Sequence, residues 1–408
     1  MTALGKNRLR KAGFTPSLCL LFAGVVLTGC RSHDFPEYPA NYREFAYVTN
    51  GGSNTVSAFD VVNLRLDREI PVGINPTGVT ANPKRNEVYV VNSGTNQSSG
   101  PSGPNGSISV INTEKNAVVA TIPVHRQPYF LEINPSGDMA YVANSGSNSI
   151  SILDLNTRRE IAVVGTGEGP GLVRIAPDGK SLVVTNRVGN SVSILGQVNS
   201  PNDWRVRKVI EGCPGATDAV VLPDSTKAFA ACSGGHQIMA IALARAADAN
   251  SPAQPDALEA LLDVGHSPVQ LALKPDGGEL FVSNFDSDSI SEVVTSTDDV
   301  SGAYLMGSHP VHGLVSADNA LLYVSNFRSQ ELSIYSIDDG KRIVLSLPLR
   351  VGDGPDGLAF SARGNLLFVV DARSGDVAVI RTSTRSLFTL LPTGRQPNAI
   401  AIKAFRLP

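Results

Sequence analysis

The chain has 408 residues, 42% of them hydrophobic and 17% charged, with 38 glycines and 26 prolines. That composition excludes a disordered chain, a coiled coil and collagen, and it favours many short elements joined by turns. The formal net charge is −3; the first 29 residues hold four basic side chains (Lys6, Arg8, Arg10, Lys11) and no acidic one, which leaves 30 basic against 37 acidic beyond them, so no nucleic-acid partner is expected.

At the N-terminus the basic stretch is followed by an apolar run from Ser17 to Leu27 and then by Leu27-Thr28-Gly29-Cys30. The run is too short to span a bilayer and has the layout of a secretory signal. Leu-Thr-Gly-Cys closing such a signal resembles the lipobox of bacterial lipoproteins. That resemblance implies a signal peptide over residues 1–29, lipidation of Cys30, and a short tether over 30–43. The membrane is then a partner through lipid on Cys30, and the protein lies in the bacterial cell envelope, facing the periplasm or the cell surface. Arg31 is not the Asp associated with inner-membrane retention, which favours the outer membrane. Cys19 leaves with the signal and Cys30 is consumed by lipid, so Cys213 and Cys232 remain as a candidate disulfide, with two free thiols as the alternative.

Beyond the tether the chain repeats itself. Ala46-Tyr47-Val48-Thr49-Asn50 returns in Val88 to Asn92, Ala140 to Asn144, Leu182 to Asn186, Ala228 to Cys232, Leu280 to Asn284, Leu322 to Asn326 and Leu367 to Asp371, at spacings of 42, 52, 42, 46, 52, 42 and 45 residues. Each copy is followed by a Gly/Ser/Asn turn and an alternating segment such as Ser149 to Asp154, which is strand grammar, and then by a third strand. A fourth segment has a constant frame in which Pro76, Pro128, Pro170, Ala216, Pro268, Pro310, Pro355 and Pro397 each stand seven residues before a second Pro or Ala. Four antiparallel strands per period make one propeller blade, with the framed segment innermost.

The chain begins with the second strand of a blade and ends with an extra innermost strand. Pairing these two orphans predicts a single all-β propeller over residues 44–408, closed by its C-terminal strand, with eight blades and seven as the alternative. The motifs resemble those of the YVTN-repeat β-propeller family over residues 44–404. That resemblance implies the propeller fold and leaves function open among binding or scaffold propellers, lactonase-like proteins, and the propeller domains of haem-dependent nitrite reductases and quinoprotein amine dehydrogenases.

Comparing the blades with one another separates shared positions from variable ones. The Asn that ends the second strand recurs and reads as a turn former. Two residues before the frame, by contrast, stand Ile74, Arg126, Glu168, Pro214, His266, Ser308, Asp353 and Arg395. Antiparallel geometry puts these at the same end of each blade as the loops carrying Arg187, His309, His312, Arg328 and Arg373. Arginines, aromatics and histidines on one concave rim make Arg126, Glu168, His266, Asp353, Arg395, Arg187, His309, His312, Arg328 and Arg373 the ligand-binding candidates, suited to an anionic or aromatic ligand. Cys213 and Cys232 fall on this face within one blade.

No haem-attachment, nucleophile-elbow, zinc-protease, phosphate-cradling or calcium-loop motif occurs. No catalytic residue, metal or cofactor is therefore assigned. The leading expectation is a membrane-anchored propeller that binds a partner protein, an envelope component or a small anion without catalysis. One alternative is a lactonase-like or dehydrogenase-like enzyme with His266 as base beside Glu168 or Asp353. The other is a haem-binding propeller related to the nitrite-reductase domain.

Overall fold

The structure is a computed structural model that describes residues 37–95, 103–199, 203–246, 253–337, 343–344 and 348–407, the pair 343–344 as backbone. Cys30 and the expected signal lie outside the described residues. The chain from Tyr38 forms one compact unit. No helix among the described residues is long and apolar enough to cross a membrane.

Eight antiparallel sheets make up the described fold, and each is a blade. A representative blade runs Pro170–Ile175, Ser181–Asn186, Ser191–Gln197 and Trp204–Glu211, from the axis outwards. In the seventh blade the described parts of the outermost strand are Ile343–Val344 and Leu349–Arg350. The first sheet is composite. Its inner strand, Pro397–Arg406, comes from the C-terminus and pairs with Tyr42–Asn50, from Tyr42 opposite Arg406 to Asn50 opposite Pro397. The ring therefore closes with its last strand, which covers the inner edge of Tyr42–Asn50.

The second strand of each blade is buried along almost its whole length because it is covered on both faces by neighbouring blades. Its aromatic position holds Tyr47, Tyr89, Tyr141, Phe229, Phe281, Tyr323 and Phe368, all at most 2% exposed, with Val183 in the remaining blade. Each such Phe contributes roughly 1.5–3 kcal/mol by burial. The outermost strands alternate exposed and half-buried residues, as in Arg159–Gly165.

A side-chain latch recurs where the second strand ends. The Asn amide donates to a serine seven residues on in five blades (Asn50 to Ser57, 2.9 Å; Asn144 to Ser151, 2.8 Å; Asn186 to Ser193, Asn284 to Ser291 and Asn326 to Ser333, each 2.9 Å), and Asn92 reaches Ser109 at 2.9 Å across a longer turn. In six blades a glycine three residues before the frame lets the backbone pass over the side chain that ends the second strand, since a Cβ at Gly73 would sit 2.6 Å from Asn92 Cγ; His125 stands there in the third blade and Cys213 in the fifth. Two blades depart from the pattern, and the partner positions change with them. In the fifth blade Cys213 and Cys232 occupy the Gly and Asn positions and are joined as a disulfide, while Met239 replaces the serine. In the last blade Asp371 replaces Asn, and Ala378 stands where the serine would be.

The departures make two predictions. Burial, reinforced by the neighbouring Asp376 carboxylate, pushes the Asp371 carboxyl up to about 8. The folded state then holds this proton more tightly than the unfolded chain, whose Asp titrates near 4. Stability from this group is full below about pH 4 and is lost as pH rises through about 8. Asp371→Asn should raise the melting temperature at pH 8 and flatten its fall between pH 4 and 8; an unchanged slope contradicts the assignment. The disulfide closes a loop with a sequence separation of 19, so Cys232→Ala should cost about 3 kcal/mol. The triple change Cys213→Gly, Cys232→Asn, Met239→Ser should restore the latch of the other blades and give a fold indifferent to reductant, as read by melting with and without dithiothreitol.

Candidate functional site

The frame positions the axial residues. In every blade the residue just before the framing Pro or Ala has a left-handed backbone: Asn75, Gln127, Gly169, Gly215, Ser267, His309, Gly354 and Gln396, with φ from 49° to 68°. In every blade, too, the innermost strand opens with a register shift against the second strand. Such a bulge re-aims side chains out of the regular alternation. Here it turns residues at the strand starts towards the axis, where all eight blades line a cavity of about 470 Å³.

The cavity wall is polar and charged on several sides. Arg174 lies at its centre of charge: Nη1 donates to Glu132 Oε2 at 3.0 Å, Nη2 is 3.6 Å from Asp218 Oδ1, Nε donates to Ala219 O at 3.1 Å, and the guanidinium lies 4.8 Å over the Phe130 ring. Asp218 is itself fixed by the backbone, accepting from Ala219 N and from Leu271 N in the next blade, both at 2.9 Å. Burial pushes the Glu132 carboxyl up, against the pull of Arg174. Gln270 spans another blade boundary by accepting from Gly313 N at 2.7 Å, and Asn398 does the same by donating to Pro76 O at 2.9 Å. These ties hold the wall rigid while leaving Thr77, Thr217 and Asn398 at the surface of the cavity.

The titratable pair in the wall is His312 with Asp356. His312 Nδ1 lies 3.5 Å from Asp356 Oδ1, and both side chains remain accessible from the cavity, at 44% and 35%. Burial among the strands opposes charging the imidazole, but the Asp356 carboxylate, with help from Asp218, outweighs it and holds His312 above its ordinary value. With Nδ1 turned to the carboxylate, Nε2 is the nitrogen left for a ligand.

The rim residues named from the sequence are placed differently. The backbone amides two residues before the frame donate to a turn serine: Arg126 to Ser147, His266 to Ser287, Ser308 to Ser329, Asp353 to Ser374 and Arg395 to Ser53, at 2.6–3.1 Å. The architecture uses only the backbone at these positions, which is why their side chains vary. Arg126 Nε donates to Gly146 O at 3.1 Å and Arg395 Nη2 to Gly52 O at 2.9 Å, so each arginine folds over a neighbouring turn. Arg373 lies 4.4 Å over the Phe327 ring and 4.0 Å from Asp353. His266 packs against His236, centroids 5.7 Å apart, and His309 sits edge-on to Phe285 at 4.4 Å, its Nδ1 bonded to Ser308 at 2.8 Å. Glu168, Arg187 and Arg328 stand on the same rim, tied through their backbones to Gly189, Gly169 and Ser308.

His312 is therefore the one named candidate that lines the axial cavity, and the others ring its approach as separate clusters. His266 is not brought to Glu168 or Asp353 by any contact among the described residues. Glu132, Arg174 and Asp218 are not among the residues named from the sequence, because each is a single charged residue inside a segment that reads as the inner strand of a blade. The available signal was charge at fixed offsets inside that frame, with Glu132 and Arg174 both four residues after their prolines. Among the described residues no group of three or more His, Cys, Asp or Glu side chains is arranged to hold a metal.

No family model and no curated protein matches the chain. Solved structures do, and the three that follow are similar at low identity. The dihydro-haem d1 dehydrogenase NirN, solved in complex with DHE, is 16% identical with a TM-score of 0.68, over 90% of this chain and 76% of that one. The periplasmic gluconolactonase PpgL of Pseudomonas aeruginosa is 15% identical with a TM-score of 0.58, over 90% and 99%. A putative 6-phosphogluconolactonase from Bacteroides uniformis is 14% identical with a TM-score of 0.58, over 89% and 100%. The likeness is one of fold: this chain is a β-propeller.

Proposed function

We propose that this propeller binds a small hydroxylated ligand bearing a carbonyl group in its axial cavity, and that it does so in the bacterial envelope, held to a membrane by lipid on Cys30. The observation that carries the reading is the His312–Asp356 pair, which opens into a cavity where hydroxyl, amide and guanidinium groups stand among apolar side chains such as Leu172, Val269 and Ile400. Its volume, about 470 Å³, falls within the range of small-molecule sites. The Leu-Thr-Gly-Cys sequence supports the envelope location.

A second reading, hydrolysis of a lactone, is supported by the same pair. His312 Nε2 has the position to take a proton from a water attacking a ring carbonyl, with Asp356 orienting the imidazole and stabilising it once charged. Arg174 keeps N–H donors beyond those given to Glu132, Asp218 and Ala219, and these suit the carbonyl oxygen as negative charge develops. The coverage of two proteins named as lactonases over nearly their whole length favours this reading at the level of fold.

Calorimetry with D-glucono-δ-lactam, which does not hydrolyse, tests the binding. His312→Ala should weaken binding by about tenfold or more with the melting temperature kept, and wild-type protein that binds nothing contradicts the reading. Turnover of D-glucono-δ-lactone separates the two readings. A lactonase should show a rate that rises with pH through a value above 6.5, the ordinary histidine value, since the base must be neutral; Asp356→Asn should move that limb down. Binding without turnover leaves a ligand-binding protein.

A further inference from the structure

The charges of the axial wall define the ligand more narrowly. Among the described residues lining the cavity, Arg174 is the one with a permanent positive charge. It is already held between two carboxylates, Glu132 at 3.0 Å and Asp218 at 3.6 Å. The other positive group, His312 when protonated, faces its own carboxylate, Asp356, at 3.5 Å. Three carboxylates thus stand against one guanidinium and one imidazole, and each cationic group has at least one carboxylate beside it. An arriving phosphate or carboxylate finds no unmatched positive charge and meets a wall that repels it, at short range and away from bulk water.

We propose that the Glu132–Arg174–Asp218 arrangement makes the axial cavity selective for uncharged hydroxylated ligands and excludes phosphorylated or acidic ones, with Glu132 as the specificity-determining residue. This rests on the axial cavity being the ligand site. Arg174 acts as a directional donor of hydrogen bonds whose charge is spent inside the wall. Glu132 contributes to the selection without any need to touch the ligand, because its position decides whether the guanidinium charge is free. The arrangement sets this chain apart from a site for 6-phosphogluconolactone, the substrate after which the similar Bacteroides uniformis protein is named. Asp218 does not lend itself to the same test, since both its oxygens serve the backbone that joins two blades. Glu132 has no such backbone duty among its described contacts and can be neutralised in place.

The test is calorimetric titration of wild type and Glu132→Gln with a matched pair of probes, D-glucono-δ-lactam and its 6-phosphate ester, at low and high salt. Wild type should bind the lactam at least about tenfold more tightly than the phosphate ester. Raising the salt from about 0.05 to about 0.5 M should narrow that gap and leave lactam binding nearly unchanged. Glu132→Gln should free Arg174, closing the gap by about tenfold through tighter binding of the phosphate ester. Equal or tighter binding of the phosphate ester by wild type overturns the inference while leaving the axial site standing. Binding of neither probe overturns the site itself. If Glu132→Gln does not fold, the wild-type comparison of the two probes still decides, because a phosphate ester bound as tightly as the lactam overturns the inference.

Discussion

Eight twisted four-stranded sheets, each with an inner strand whose backbone groups need partners, are stable here only as a closed ring. Closure is supplied by one pairing, Pro397–Arg406 against Tyr42–Asn50, which joins the two ends of the described chain in one sheet. Once the ring is closed, eight innermost strands must start around a common axis. The space they leave is too wide for main chain to fill, so side chains and solvent fill it. The bulge at the start of each of these strands decides which side chains do so. The cavity is in this sense a product of closure, and its chemistry is whatever the first few residues after each framing Pro supply.

Those residues have two kinds of duty. Asp218, Gln270 and Asn398 tie adjacent inner strands together, and they keep the wall from relaxing into the cavity. Arg174, His312 and Asp356 are held by the wall but open to the cavity. Burial of an ionised group without a partner is costly, and here each is matched at short range. The outcome is an axial site with an acidic balance, surrounded by a rim where Arg126 and Arg395 lie over turns and Arg373 over an aromatic ring. The rim therefore contributes approach and shape more than a single convergent site.

Much of the architecture was legible because it repeats. The blade number, the framing Pro and the closing strand all follow from aligning the chain with itself, and the latch of Asn against Gly is visible in the same alignment. The chemistry was less legible for the same reason. A position used once, such as Glu132 or Arg174, has no echo in the other blades, and inside a segment otherwise made of Leu, Val, Ile and Ala it reads as an interruption of a core strand. Positions that vary widely from blade to blade lie two residues before the frame. There the variation reflects an amide bonded to a serine and a side chain free to differ. Only the bulge, which is a feature of backbone register, shows that the next few residues turn inwards.

The central claim, that ligands meet the axial wall and not the rim, is tested most directly by NMR of the protein with nitrogen-15-labelled histidine. The chain has six histidines, and those of the rim (His236, His266, His309) are separable from His312 by single substitutions. Added D-glucono-δ-lactam should shift the His312 ring nitrogens, Nε2 more than Nδ1, and leave the rim histidines in place. Shifts confined to His236, His266 or His309, with His312 unmoved, would contradict the account.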